Sequence, residues 1–553
     1  MRTSGPTRTG VALAATTVAA LVLGINTSAD ARVVNDDNLT PRTHFVMAAD
    51  GSSGLTAGGA GIPNIDSVKS TIRAYYGASS AGVANKTTSP YISELAMIQA
   101  DTLAGLPTVA PADHKAVVLD ADDTTLWTYD MEDQAMHFNF DPALQNVWVT
   151  EKKFLATPGM VDFVDAVEAK GYAVFGLTGR SASQEDATVA NLVEQGYTQF
   201  TADNFFTKFD STHPKPDYLD CHTSVDPADD PAKCTTVEYK AGTRKHIQDT
   251  LGYDIVLNIG DQWSDLQGGF ADDTLKLPNP TYYLPSPDIA GAPVSDSAMT
   301  PKTEFDMAAD GSSGTTVGGE SIPNIDSVKS TIRAYYGADS AGIANKTTSP
   351  YITEMTAFSQ KWGKKLRTIC ERGVENGTKP AVVFDADDTT LWTYDMEDAA
   401  MKFNFDPTLQ NVWVQEERFL PTPKMRHVVR AAAAGGCKIV GITGRNSTQR
   451  AATIDNLAKY YYDRNDNSLF KSQYYFTKWN SASGEQPPAY VDCAQDTDPV
   501  KCSTIEYKSS TRKHVEDTFG FHIIANFGDQ FSDLKGGHSD RAVKLSNPTY
   551  YLP

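Results

Sequence analysis

Short apolar runs alternate with amphipathic stretches along the chain, and each apolar run ends on a polar tip. AVVLD (116–120) closes on Asp120, YAVFGLTGR (172–180) on Thr178 and Arg180, and YDIVLNIGD (253–261) on Gly260 and Asp261. Between them, VDFVDAVEAKG (161–171) and TRKHIQDTLG (243–252) carry apolar residues at helical spacing. Continuous apolar strands that alternate with helices predict a parallel α/β sheet buried on both faces. Ligands of such sheets bind beyond the carboxyl ends of the strands, so the polar tips are the places to look for chemistry.

The pattern is written twice. Ile62 to Ala78 recurs unchanged as Ile322 to Ala338, and Asp120 to Asp133 as Asp385 to Asp398; Lys276 to Pro285 returns, with one change, as Lys544 to Pro553. This period is far too long for a solenoid. It predicts two tandem doubly wound α/β domains of about 250 residues, each with its own core. The expected boundaries are 32–285 and 300–553, joined by a Pro- and Ser-containing linker at 286–299. Residues 357–377 of the second copy read as an amphipathic helix closed by Gly377. The first copy has Gly, Pro and Ala there, which predicts a shorter helix.

Composition narrows the classes. Of 553 residues, 40% are hydrophobic and 21% charged, enough to build real cores. A net charge of −21 argues against binding nucleic acid, which draws its affinity from Lys and Arg. Arg2 and Arg8, the apolar stretch Val11 to Gly24 and the small residues Ala29 and Ala31 read as a secretory signal peptide over 1–31, which predicts a secreted protein with no membrane association after cleavage. Export permits disulfides. Cys221 with Cys234, and Cys493 with Cys502, flank corresponding acidic loops and are expected to pair locally. Cys370 and Cys437 occur only in the second copy, where pairing with each other and two buried free thiols are equal readings.

The tips collect one set of groups in each copy: Asp120 and Asp122, Thr178, Lys240, Asp261 and Asp265, matched by Asp385 and Asp387, Thr443, Lys508, Asp529 and Asp533. Clustered carboxylates repel unless a cation sits among them. Oxygen ligands suit a hard divalent ion such as Mg²⁺, and a lysine and a hydroxyl beside it suit a phosphoryl group. Lys240 and Lys508, just before the predicted helix, are preferred over Lys245 and Lys513, which fall inside it. Arg180 and Arg445 read equally as phosphate contacts or as structural ion pairs. Asp123 and Asp388 read as turn residues, and Trp127, Tyr129 and Trp148 as core, with lining of the substrate pocket as the alternative reading.

D-x-D-x-T, then Thr, Lys and G-D-x-x-x-D, in order and twice, resembles the haloacid dehalogenase (HAD) superfamily. Leu-Thr-Gly-Arg and Gly-Asp-Gln-Trp-Ser-Asp-Leu resemble its secreted acid phosphatase branch, subfamily IIIB, which includes plant acid phosphatases and vegetative storage proteins. The resemblance covers about 115–285 and 380–553. It implies Asp120 and Asp385 as nucleophiles and Asp122 and Asp387 as general acids and bases. It places Mg²⁺ on Asp120, the Asp122 carbonyl and Asp261, and on Asp385, the Asp387 carbonyl and Asp529. Thr178, Lys240, Thr443 and Lys508 would hold the phosphoryl oxygens, with Asp265 and Asp533 in support and a small cap over 129–157. The implied activity is hydrolysis of small phosphomonoesters. The rivals are a non-catalytic storage or binding protein and a phosphotransferase. The two units are expected to pack as an internal pseudo-dimer.

Overall fold

The computed structural model describes residues 46–47, 53–55, 61–221, 234–284, 306–307, 313–315, 321–493 and 502–552. The signal peptide and the linker read from the sequence lie outside these residues. Each repeat builds one five-stranded parallel sheet. In the first, β1 (Lys115–Leu119), β2 (Ala173–Ser181), β3 (Phe205–Lys208), β4 (Asp254–Gly260) and β5 (Thr274–Lys276) lie in the order β5-β4-β1-β2-β3. In the second, β6 (Pro380–Phe384), β7 (Lys438–Asn446), β8 (Tyr475–Lys478), β9 (His522–Gly528) and β10 (Ala542–Lys544) repeat that order. The chain winds outward from the central strand to β3 and then returns to the other side of it. The crevice where the winding reverses opens at the carboxyl ends of β1 and β4, the preferred ligand position of such sheets. Strand β1 explains its own burial: Val117 and Leu119 enter one apolar cluster, Ala116 and Val118 another.

Helices α1 (Ile65–Tyr75), α2 (Pro90–Gly105) and α3 (Thr236–Asp249) correspond to α4 (Ile325–Tyr336), α5 (Pro350–Glu375) and α6 (Thr504–Phe519). The expected length difference is present, 16 residues in α2 against 26 in α5. The start of α3 corrects the sequence expectation. Thr235 and Glu238 form a reciprocal capping box, so the helix begins at Thr236 and Lys240 lies within it rather than before it. The cap segment holds a π-helical turn (Met131–Ala135), a helix (Pro142–Thr150) and a two-residue strand (Leu155–Ala156) paired with Leu126–Trp127. Three short antiparallel strands between Val46 and Pro63, with counterparts in the second repeat, had no reading in the sequence.

Cys221 pairs with Cys234, Cys493 with Cys502 and Cys370 with Cys437. The last bridge resolves the two equal readings. It ties α5 to the residue preceding β7 across 67 positions, a loop whose closure contributes roughly 2–4 kcal/mol. Replacing Cys370 and Cys437 by serine is expected to lower amide-exchange protection in α5 while leaving α2 unchanged. Equal loss in both helices would show that the bridge does not act locally.

The repeats also touch each other. Ile65, Val68 and Ile72 of α1 share one buried cluster with Ile325, Val328 and Ile332 of α4. Ile325 N–H donates to Pro280 O, and Ile65 N–H to Pro548 O, both at 2.9 Å. Among the described residues no helix is long and apolar enough to cross a membrane.

Candidate active site

The carboxyl end of β1 delivers Asp120, and the end of β4 delivers Asp261. Gly260 lets the next turn fold back tightly, since a Cβ there would lie 2.4 Å from Asp265 Cβ. Asp120, Asp261 and Asp265 therefore meet, each offering an oxygen within 4.8 Å of the others; Asp385, Asp529 and Asp533 do the same. Lys240 reaches in from α3 and donates to Asp120 Oδ1 and Asp265 Oδ1, both at 2.6 Å. Lys508 repeats this with Asp385 and Asp533. Lys245 and Lys513 point away from the cluster: they are exposed and pair with Asp249 and Asp517 one helical turn on.

Burial sets the electrostatics. It pushes the Asp120 carboxyl well above the usual range, against the pull of Lys240. It raises Asp261 to about 7, with Asp265 and Asp123 adding to the effect. Burial opposes the charge on Lys240, but Asp120 and Asp265 overcome it and the lysine stays a cation. One lysine thus faces three carboxylates. Asp120 uses only Oδ1 for Lys240, and buried Asp261 Oδ1 and Thr124 Oγ1 have no partner among the described residues. An all-oxygen donor set with surplus negative charge fits a hard divalent cation.

Asp122 turns elsewhere. Arg180 from β2 grips it through two hydrogen bonds, Nη2 to Oδ1 at 2.6 Å and Nε to Oδ2 at 3.1 Å. The guanidinium is held in turn by Thr188 Oγ1 at 3.0 Å and by the Phe154 ring at 4.8 Å. Arg445 and Asp387 repeat the pair, so both arginines make a structural ion pair to the second aspartate of the motif. Thr178 is buried near the end of β2, where its hydroxyl accepts from Arg180 N–H; Thr443 does likewise for Arg445. Asp123 adopts φ 47° and accepts from Thr128 N–H, as a turn residue should. Trp127 is buried, stacked on Tyr91 at 5.5 Å with Lys86 Nζ 4.2 Å above its ring. Tyr129 is buried against Tyr76, while Trp148 is half-buried against Phe154.

Sequence reasoning missed three supporting residues. Arg244, fully buried in α3, donates to the carbonyls of Asp265, Gln267 and Gly269 and fixes the turn after β4. Asn279 donates to Asp261 Oδ2 at 2.7 Å and to Asp123 Oδ2 at 3.3 Å. Lys276 is buried at the end of β5 and donates to Leu277 O. Their counterparts Arg512, Asn547 and Lys544 make the same contacts. The available signal was their recurrence in both copies.

A central-strand carboxylate bridged by a helix lysine to the acids of the neighbouring tip, at the reversal point of a parallel sheet, defines a HAD-type domain. The family described as HAD superfamily, subfamily IIIB (acid phosphatase) matches residues 80–285, 341–482 and 492–553, and the chain belongs to it. It is 33% identical over 147 residues to the stem 28 kDa glycoprotein of Glycine max, covering 26% of this chain and 50% of that one. It is 28% identical over 183 residues to acid phosphatase 1 of Solanum lycopersicum, covering 31% and 63%. Vegetative storage protein 1 of Arabidopsis thaliana is 26% identical over 185 residues, with 31% and 60% covered. The chain thus spans between half and two thirds of the length of these three relatives. The class C acid phosphatase from Bacillus anthracis aligns with a TM-score of 0.25 at 24% identity, over 35% of this chain and 78% of its own.

Proposed function

We propose that the chain is a secreted, Mg²⁺-dependent phosphatase of small phosphomonoesters, built from two domains (32–285 and 300–553) that pack as an internal pseudo-dimer. The observation that supports this reading best is the lysine-bridged carboxylate cluster, present intact in both repeats. Three disulfides agree with an oxidising compartment.

Asp120, Asp261 and the Asp122 carbonyl would hold the cation in the first repeat, and Asp385, Asp529 and the Asp387 carbonyl in the second. When bound, it offsets the repulsion between an anionic nucleophile and an anionic phosphate. Asp120 attacks phosphorus, the bond to the ester oxygen breaks, and Asp122 gives its proton to the departing alcohol. The product is an aspartyl-phosphate on Asp120. Water then attacks phosphorus, Asp122 takes back a proton, and phosphate leaves with Asp120 restored. Lys240 and Thr178 stabilise the phosphoryl oxygens. Arg180 keeps Asp122 at the cleft, where its side chain is 25% exposed.

Hydrolysis of p-nitrophenyl phosphate by the purified chain is expected to require added Mg²⁺ and to stop with EDTA. Added alcohol should leave free phosphate as the main product; a phosphorylated alcohol in its place would make the protein a phosphotransferase. No turnover of any small phosphoester would favour a storage role, the role that the name of the Arabidopsis relatives states for them.

A further inference from the structure

The segment that braces each metal-binding aspartate is itself braced by the opposite repeat. Asn279 and Gln262 both donate to Asp261 Oδ2, at 2.7 Å each. Asn279 belongs to the tail that follows β5, and this tail is gripped from outside by the start of α4. Asn324, buried at that helix start, donates through Nδ2 to Asn279 O at 3.1 Å and to Tyr282 O at 2.6 Å. Asp326 Oδ2 accepts from Tyr283 N–H at 3.3 Å. Further along α4, the buried Lys329 donates to Phe138 O in the first repeat's cap segment.

The mirror contacts are present. Asn64 donates to Asn547 O at 3.1 Å and to Tyr550 O at 2.7 Å, and Asp66 Oδ2 accepts from Tyr551 N–H at 3.2 Å. Asn547 in turn donates to Asp529 Oδ2 at 2.8 Å. The same short chain of hydrogen bonds therefore runs twice, each time crossing from one repeat to the other and ending on the carboxylate at the tip of β4 or β9.

We infer that Asn324 and Asn64 are positioning residues acting in trans: each repeat's metal site is held in shape by the other repeat's helix start. This rests on the metal-dependent reading above. Outer-shell hydrogen bonds to ligating carboxylates typically govern 10- to 100-fold in metal affinity. A tail braced from outside loses less freedom when the cation binds than one left loose.

The test is calorimetric Mg²⁺ binding to the full chain. Asp529→Asn leaves only the first repeat's site, and Asp261→Asn only the second's. Asn324→Asp keeps the oxygen that accepts from Asp326 N–H at the helix start and loses the Nδ2 donor. In the Asp529→Asn background it should weaken Mg²⁺ binding about three- to tenfold, less than loss of a direct partner of the ligand would, because Asn324 reaches Asp261 only through Asn279. In the Asp261→Asn background it should change binding by less than about twofold. Asp326→Ala, at a half-exposed position, should reproduce the asymmetry with a smaller factor even where Asn324→Asp folds poorly. Equal weakening of both sites, or none, overturns the inference. Absence of Mg²⁺ binding by the unmutated chain overturns the metal-dependent reading itself, and the inference with it.

Discussion

Joint replacement of Asp120 and Asp385 by asparagine should lower p-nitrophenyl phosphate turnover at least about 10³-fold, a loss expected when a covalent nucleophile is deleted. The amide has nearly the same shape, so Lys240 keeps Asp265 and Lys508 keeps Asp533 as partners. Neither substitution leaves a buried cation alone, and burial already disfavours the anionic form of both aspartates. The double variant should therefore melt within a few degrees of the parent, which separates lost chemistry from lost folding. Each single variant should keep roughly half the activity, because the two clusters share the same contacts. Complete loss in one single variant would make the other repeat a scaffold. More than a tenth of the activity left in the double variant would remove both residues from the nucleophile's role.

How much of this was legible beforehand depended on whether a residue's task was local. Asp120 and Asp261 follow apolar runs, so the strand tips and their carboxylates could be read directly. Lys240 was found by its order among the motifs, although its helix begins earlier than apolar spacing suggested because Thr235 and Glu238 cap it. Arg180 was ambiguous because its partner, Asp122, lies 58 positions away. Arg244 answers three carbonyls, and backbone acceptors leave no trace in a sequence. Asn279 stands in a Pro-rich tail without periodicity. Asn324 serves a site in the other repeat, so only packing of the two halves reveals it.

Without divalent cations, the protein should be more stable at pH 5 than at pH 8, the reverse of what salt-bridged carboxylates produce. Burial raises Asp123 and Asp261 to about 7, Asp529 to about 6 and Asp388 to about 8, and drives Asp120 and Asp385 upward as well. Each folded value lies above the unfolded value of about 3.9, so between the two the folded state binds more protons. The contribution is complete below about pH 4, declines as pH rises between the unfolded and folded values, and is gone once pH has passed through the folded values of about 6 to 8. Buried Lys276 and Lys544, both lowered to about 8, act with the opposite sign but only above that range. One pKa unit corresponds to about 1.4 kcal/mol, so a single site accounts for several kcal/mol, on the order of 10 °C in melting temperature. The overall charge of −21 adds self-repulsion in the same direction. Millimolar Mg²⁺ should restore stability at pH 8 and have little effect at pH 5, because the cation and the protons compete for the same oxygens. Thermal melts from pH 4.5 to 8.5, with EDTA or with Mg²⁺, read both effects. Asp261→Asn with Asp529→Asn should make the EDTA series shallower, since an amide does not titrate, while Asp120, Asp123, Asp385 and Asp388 keep part of the slope. An EDTA series that rises from pH 5 to pH 8 would mean that the clustered carboxylates are neutralised by something other than protons or a cation.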